Sequence, residues 1–408
     1  MTATPAPTTP APTTPAPTTP APATGWFSAA DCRLEEFRAV VEQDTDLRGY
    51  PCADAVEQGV LVYGPRLLAA AATPRGRRDA QAEVARALLE GPGIVVLAGA
   101  FEAGAVDRAT AVFQDLIAAQ RAAGVQAGDH FAKPGANDRV WGALDKFALR
   151  DPEAFADYYA NDALALVCEA WLGRGYQVTS QVNVVNPGGA AQTAHRDYHL
   201  GFMSAEQALG FPAHVHALSP LLTLQGAVAH VDMPVETGPT LYLPHSQKFP
   251  AGYVAFHDPR FTAYFEERFV QLPLAKGDAV FFNPALFHGA GTNRSADVRR
   301  MANLLQISSA FGRAMESVDR TAMCEVLYGV LARRRAAGAP ERELANVVAA
   351  SAEGYAFPTN LDRDQPVGGL APQTQAELVR QALAEGWDAG RLHAALAAQQ
   401  QRRVPSAG

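Results

Sequence analysis

Apolar and charged positions recur at helical spacing from residue 25 to 90. Glu35 falls to one side and Phe37, Val40 and Val41 to the other, which predicts an N-terminal helical region. Residues 91–101 read GPGIVVLAGAF, where the short run Ile94–Leu97, bounded by glycines, predicts a buried strand. A helix follows, with Val106, Ala109, Phe113, Leu116 and Ile117 on one face and Asp107, Arg108 and Asp115 off it.

From about 176 to 310 the period changes from helical to two. In Tyr176–Asn186, Gln177, Thr179, Gln181 and Asn183 share one side, and Val178, Val182 and Val184 share the other. A strand with polar groups on one face fits a barrel whose interior holds a polar ligand. Pro187-Gly188-Gly189 ends it in a turn, and further strands are expected at 221–230, 239–243, 279–282 and 299–308. After 312 the helical period returns, over 321–350 and 374–400, with FPTNLDRDQPVGGLAP between them. The chain therefore reads as an α+β protein in four parts. Residues 1–24 form a Pro/Ala/Thr-rich tail expected to be disordered, 25–90 the helical region, 91–312 a barrel domain, and 313–408 a helical C-terminal extension. The extension packs either on the barrel or at a subunit contact, and the sequence leaves the oligomeric state open, a homodimer included.

Composition narrows the class. With 34 Lys and Arg against 42 Asp and Glu, the net charge of −8 gives no basic patch for nucleic acid or for a membrane surface. Cys32, Cys52, Cys168 and Cys324 form no CxxC pair, so a reducing cytoplasm is the expected compartment. Neither a signal peptide nor an apolar run of transmembrane length is evident. There is also no GxSxG elbow, phosphate loop, HExxH helix or dinucleotide fingerprint.

Histidines carry the chemistry that remains. In His195-Arg196-Asp197 the first and third residues project to one side of an extended chain and can grip one metal ion. His288, in KGDAVFFNPALFHGAGTN, is the best third ligand. Two imidazoles and one carboxylate on one face of an octahedron leave positions open for a 2-oxo acid and O2. Such a co-substrate needs a cation at its far carboxylate. Arg299, eleven residues after His288, is the expected one, with Arg300 facing the other way. Rival sets are His230-Val231-Asp232, and His214 with His216 and His230 as a three-histidine site.

Four blocks together resemble the phytanoyl-CoA dioxygenase family of Fe(II)/2-oxoglutarate oxygenases, from about Gly93 to Gly312. They are GPGIVVLAGAF, QVNVVNPGGAAQTAHRDYHLGF, HVDMPVETGPTLYLPHSQKF and FHGAGTNRSADVRRMANLL. The chain departs from the family at Pro244-His245-Ser246-Gln247, where many members have Pro-Gly-Ser-His, and in the long stretch 198–220. The resemblance implies a double-stranded β-helix, a jelly-roll or cupin-like barrel. It implies Fe(II) on His195, Asp197 and His288, with 2-oxoglutarate as co-substrate held by Arg299, and O2. The implied outcome is hydroxylation of a small molecule, or a sibling outcome such as desaturation, because Asp197 stands where related halogenases have a small residue. The family's acyl-CoA substrate is not carried over.

Around that centre, Gln181 and Asn183 are expected to meet the co-substrate, joined by Lys146 from the stretch 130–147. Lys133 and Arg139 from the same stretch, with Tyr198 and His199, are expected to meet the substrate, and His214 and His216 to line a lid. Two other classes fit less of the pattern. A cupin-like isomerase or epimerase would need neither O2 nor Arg299, and an inactive barrel serving as a binding protein would not keep the whole set.

Overall fold

The computed structural model describes residues 24–124 and 137–405, so the expected tail, apart from Thr24, and Lys133 lie outside the described residues. Eleven strands are described: β1 Ala55–Glu57, β2 Val60–Tyr63, β3 Ile94–Leu97, β4 Asn137–Val140, β5 Gln177–Val185, β6 Thr223–Ala229, β7 Leu241–Leu243, β8 Val270–Gln271, β9 Ala279–Phe282, β10 Phe287–Gly289 and β11 Arg300–Ser308. Eight of them form one sheet in the order β1-β2-β3-β9-β6-β11-β5-β4, antiparallel throughout except between β2 and β3. The other three form a small sheet, β10-β7-β8. The fold is mixed α/β, with a large, mainly antiparallel sheet and many helices.

Period-two alternation decides what each face of the large sheet meets. Val178, Val182, Val184, Leu224, Val228, Phe281, Leu305 and Ile307 point outward into the main core. Helices 103–122, 143–150, 152–159 and 162–172 supply the other side of that core, with Phe113, Phe147, Phe155 and Val167. The opposite face carries Asn183, Gln225, Ala227, Val280, Arg300, Ala302 and Gln306, and it lines a cavity that the small sheet also borders through Tyr242 and His288. Val60, Ile94, Val96, Leu272 and Leu286 join Tyr242 and Phe282 in a separate apolar cluster between the sheets.

Several expectations change at this level. The region 25–90 is not all helical, because β1 and β2 extend the large sheet beside β3. Its Val60-Leu61-Val62 run, bounded by Gly59 and Gly64, carries the same glycine-bounded strand signal as 94–97. Each C-terminal helical stretch divides in two. The first breaks at Gly338 (φ +83°) before Pro340, and the second at Gly386 (φ +64°), a left-handed helix end that glycine adopts without strain. All four resulting helices contribute to the main core through residues such as Leu327, Leu344, Leu378 and Leu392; the extension packs chiefly on helices 143–150 and 152–159, and its helix 341–351 also meets β5. Among the described residues, no helix is long and apolar enough to cross a membrane, and all four cysteines are free.

Candidate metal centre and its cavity

His195 sits on no long strand. Instead its backbone pairs with that of His288 on β10, donating at 2.9 Å and accepting at 3.1 Å, which adds residue 195 to the edge of the small sheet. Directly opposed residues in an antiparallel pair bring their side chains together. The two imidazole centroids are accordingly 4.5 Å apart. Each ring is oriented by its own chain, since Nδ1 lies 2.9 Å from the Thr193 carbonyl in His195 and 2.8 Å from the Leu286 carbonyl in His288. A carbonyl can only accept, so Nδ1 carries the proton and Nε2 presents its lone pair, the arrangement that metal-binding histidines use. The Nε2 atoms lie 3.8 and 3.4 Å from the Asp197 carboxylate, and all three ligand atoms lie within 4.8 Å of one another. Two imidazoles and a carboxylate are a donor set that suits Fe(II).

Burial acts to raise the Asp197 pKa, but His288 and His195 in their protonated, charged form, together with the amide of Gln225, outweigh it and hold the carboxyl well below the usual range. Between the ligands, Arg196 points the other way and is fully buried. Its guanidinium lies 5.0 Å from the Tyr253 ring and 5.2 Å from the Phe287 ring. It donates to the carbonyls of Ser246 (2.6 Å) and Phe249 (3.0 Å). The segment after Pro244 is thereby bound to both ligand-bearing segments, since Ser246 Oγ also accepts from the Phe287 amide at 2.8 Å. The guanidinium passes over Gly252, where an added Cβ would meet Arg196 Cζ at 1.9 Å. Gly252→Ala is therefore expected to destabilise the fold by about 2–4 kcal/mol, through overpacking and lost hydrogen bonds of a buried cation. Chemical denaturation measures it, and a loss under about 1 kcal/mol would contradict this packing argument.

The cavity, of about 210 Å³, reaches all three ligand residues. Its deep wall holds Arg300, and here the one-residue expectation is reversed. Arg300 opens β11, is buried, and lines the cavity. Arg299 precedes the strand, stays half exposed, and pairs with Asp138 at 2.9 Å and Asn186 at 3.0 Å. The count from His288 assumed a regular hairpin. Residues 290–299 instead form a long irregular loop, so the register is set by Arg300 lying opposite Val185. Burial lowers the Arg300 pKa to about 10. Among the described residues, its hydrogen bonds go to the carbonyls of Thr237 and Gly291, both at 3.4 Å, and no carboxylate pairs with it.

Of the other expected residues, Asn183 and Arg139 lie on the cavity wall. The Arg139 guanidinium stacks 4.2 Å from the Trp141 ring and donates to Gln181, which is fully buried behind it. Lys146 is turned outward, with Nζ on the Trp141 carbonyl at 2.5 Å, and does not reach the cavity. Tyr198 and His199 are not on the wall either. They take positive φ (63° and 43°), and His199 binds Ser219 Oγ at 3.0 Å. This strained pair turns the chain sharply after Asp197 and delivers Phe202 to the cavity mouth. His214 is exposed, and His216 is buried on the Ala208 carbonyl at 3.0 Å. Neither lines the cavity.

The rival pair separates. Asp232 accepts from the Lys276 amide at 2.8 Å. His230 lies behind the sheet between Thr110 Oγ1 (2.8 Å) and Tyr158 OH (3.0 Å). Burial pushes the His230 pKa from 6.5 down to about 3. A folded-state value below the unfolded one means that its neutral form adds stability above pH 6.5, and that this is lost as pH falls toward 3. The cost is about 2 kcal/mol at pH 5, so His230→Gln should flatten the acid limb of a denaturation series between pH 7 and 5 by that much. An unchanged slope would contradict the burial argument.

Sequence reasoning missed Gln225, Gln306, Phe202 and Met315, all on the wall. Gln225 and Gln306 are polar positions on period-two strands, and that was the signal available.

The family described as phytanoyl-CoA dioxygenase matches residues 89–301. The dioxygenase cdmD of Talaromyces verruculosus is 32% identical over 148 residues, 36% of this chain, and the match spans 38% of that relative's length. Among solved structures, EctD from S. alaskensis with 2-oxoglutarate and 5-hydroxyectoine is 18% identical, with a TM-score of 0.42 over 59% of this chain and 78% of that one. The epimerase SnoN, in complex with Fe3+, alpha ketoglutarate and nogalamycin RO, is 21% identical, with a TM-score of 0.35 over 56% and 82%.

Proposed function

Because the chain belongs to the phytanoyl-CoA dioxygenase family of Fe(II)- and 2-oxoglutarate-dependent oxygenases, we propose that it hydroxylates a C–H bond of a small molecule inside this cavity. Iron is held by His195, Asp197 and His288, and the two facing sheets are read as the double-stranded β-helix of such enzymes. Arg300 holds the far carboxylate of 2-oxoglutarate. The observation that carries this reading is a buried arginine, without a carboxylate partner among the described residues, in the same cavity as the ligand cluster. A desolvated guanidinium favours a planar anion that can accept two hydrogen bonds. An isomerase working without a 2-oxo acid would have no use for it.

Bound iron supplies O2 activation, and the overall reaction takes one O2, 2-oxoglutarate and R–H to R–OH, succinate and CO2. The chain's own residues orient and shield. The Thr193 and Leu286 carbonyls fix both imidazoles, and Gln225 holds the carboxylate. Phe282, with its ring 4.8 Å from that of His288, closes the apolar side. Asn183 and Arg139 face the substrate space, with Gln181 supporting Arg139.

The test is the visible spectrum of anaerobic protein with Fe(II) and 2-oxoglutarate, followed by succinate release on admitting air. A weak metal-to-ligand charge-transfer band, then succinate and a hydroxylated product, is the expected result. Absence of both the band and iron binding would overturn the proposal.

A further inference from the structure

Trp141, Phe202 and Met315 reach the cavity from three separate segments. Phe202 and Met315 are the most exposed of the residues described on its wall, 58% and 36%, which places them at its opening. Neither position is loosely held. Phe202 closes the short turn His199–Phe202, which follows Tyr198 in a left-handed conformation (φ 63°). Leu200 anchors that turn in the core, and His199 Nδ1 is tied to Ser219. Gly201 lies so near the Arg196 carbonyl that an added Cβ would stand 2.2 Å from the oxygen. A strained, anchored turn that holds a large aromatic ring in water at a cavity mouth marks a contact made for a ligand.

Met315 is placed by the residue after it. Glu316 accepts from the Gly142 amide at 2.8 Å and so fastens the irregular segment 309–319 to the corner that follows Trp141. One bond between residues 142 and 316 thus brings the residues that precede them, Trp141 and Met315, to the same cavity. The Trp141 ring is itself oriented by the Arg139 guanidinium, 4.2 Å from its centroid.

We propose that Phe202, Met315 and Trp141 form a mouth that selects a planar aromatic ring of the substrate, and that Glu316 is the positioning residue that sets it. The inference rests on the oxygenase reading above and names the substrate class of that same site. Aromatic rings attract one another in offset and edge contacts, and a thioether adds a favourable contact at a ring edge. These gains come on top of the apolar area that any hydrocarbon buries. A saturated ring of equal size, or an acyl chain, collects the area alone. The ring is the part of the substrate nearest solvent, and the C–H bond to be oxidised belongs to what extends inward to the metal ligands.

The probe is a set of mono- and bicyclic aromatic alcohols, amines and acids, each beside its ring-saturated counterpart. Binding is read by saturation-transfer NMR titration on zinc-loaded full-length protein with 2-oxoglutarate, a state that does not turn over. Aromatic members are expected to bind wild type at least about fivefold more tightly than their saturated counterparts. The double variant Phe202→Leu, Met315→Leu keeps the apolar volume but loses the ring and the sulfur. It should bring the preference within about twofold, with zinc and 2-oxoglutarate affinity as in wild type. Glu316→Ala should lower the preference too, while Glu316→Gln, whose amide oxygen can still accept from Gly142, retains it. A Glu316 that only stabilised the fold would lower the melting temperature on Glu316→Ala and leave the aromatic preference at its wild-type value. If no aromatic member binds, if saturated counterparts bind equally well, or if the preference survives in the double variant, the inference is overturned. Failure of 2-oxoglutarate itself to bind zinc-loaded wild type would instead sink the oxygenase reading, so the two failures are distinguishable.

Discussion

Arg300→Leu is expected to weaken 2-oxoglutarate binding by roughly 10²–10³-fold, while Arg299→Ala changes it by less than about threefold. The two arginines are neighbours in sequence but differ in environment. Arg300 is buried on the cavity wall and, among the described residues, lacks a carboxylate. Arg299 is half exposed and already holds Asp138 and Asn186 on the outer surface. A desolvated, two-pronged ion pair counts for several kcal/mol, whereas an exposed one counts for about one or less. The midpoint of the charge-transfer band, titrated with 2-oxoglutarate, measures both variants. The fold should survive Arg300→Leu, since the substitution removes a buried cation that has no counter-charge among the described residues and puts an apolar side chain in its place. If Arg299→Ala carries the large effect instead, the register of β11 against β5 is wrong.

The second large effect concerns the ligands. His288→Ala and Asp197→Ala should each reduce iron affinity by roughly 10²–10³-fold or more, since three side chains share the binding energy of the site. Succinate formation should fall to background in both. Isothermal titration with Fe(II) under anaerobic conditions, or with Co(II) as a surrogate, measures it. His230→Gln and His216→Gln serve as controls, because both residues are held by protein partners away from the cavity. Iron affinity that follows His230 or His216 instead would move the metal to the rival set. Asp197→Ala also removes the acceptor that orients the Gln225 amide.

Much of this protein was legible along the chain. Period-two alternation over 177–185 placed Asn183 and Gln181 on the inner face and Val178, Val182 and Val184 on the outer, because a strand's side-chain direction depends only on its own pleat. The strand 94–97 and the helical period after residue 320 were legible for the same reason, as was the His195–Asp197 pair. What failed were the relations between segments. Whether Arg299 or Arg300 faces the cavity depends on how residues 290–299 cross to β11, and a one-residue change there exchanges inside for outside. Within the stretch 130–147, residues 137–140 pair with β5 as a strand, which delivers Arg139 to the wall and leaves Lys146 outside. Gln225 lies 28 residues from Asp197 in sequence and meets it only when β6 is laid across the small sheet. Local chemistry fixes direction along each element, whereas cross-strand register and the packing of one sheet on another decide which of those directions converge. Only the tertiary structure could therefore select Arg300, Gln225 and Gln306.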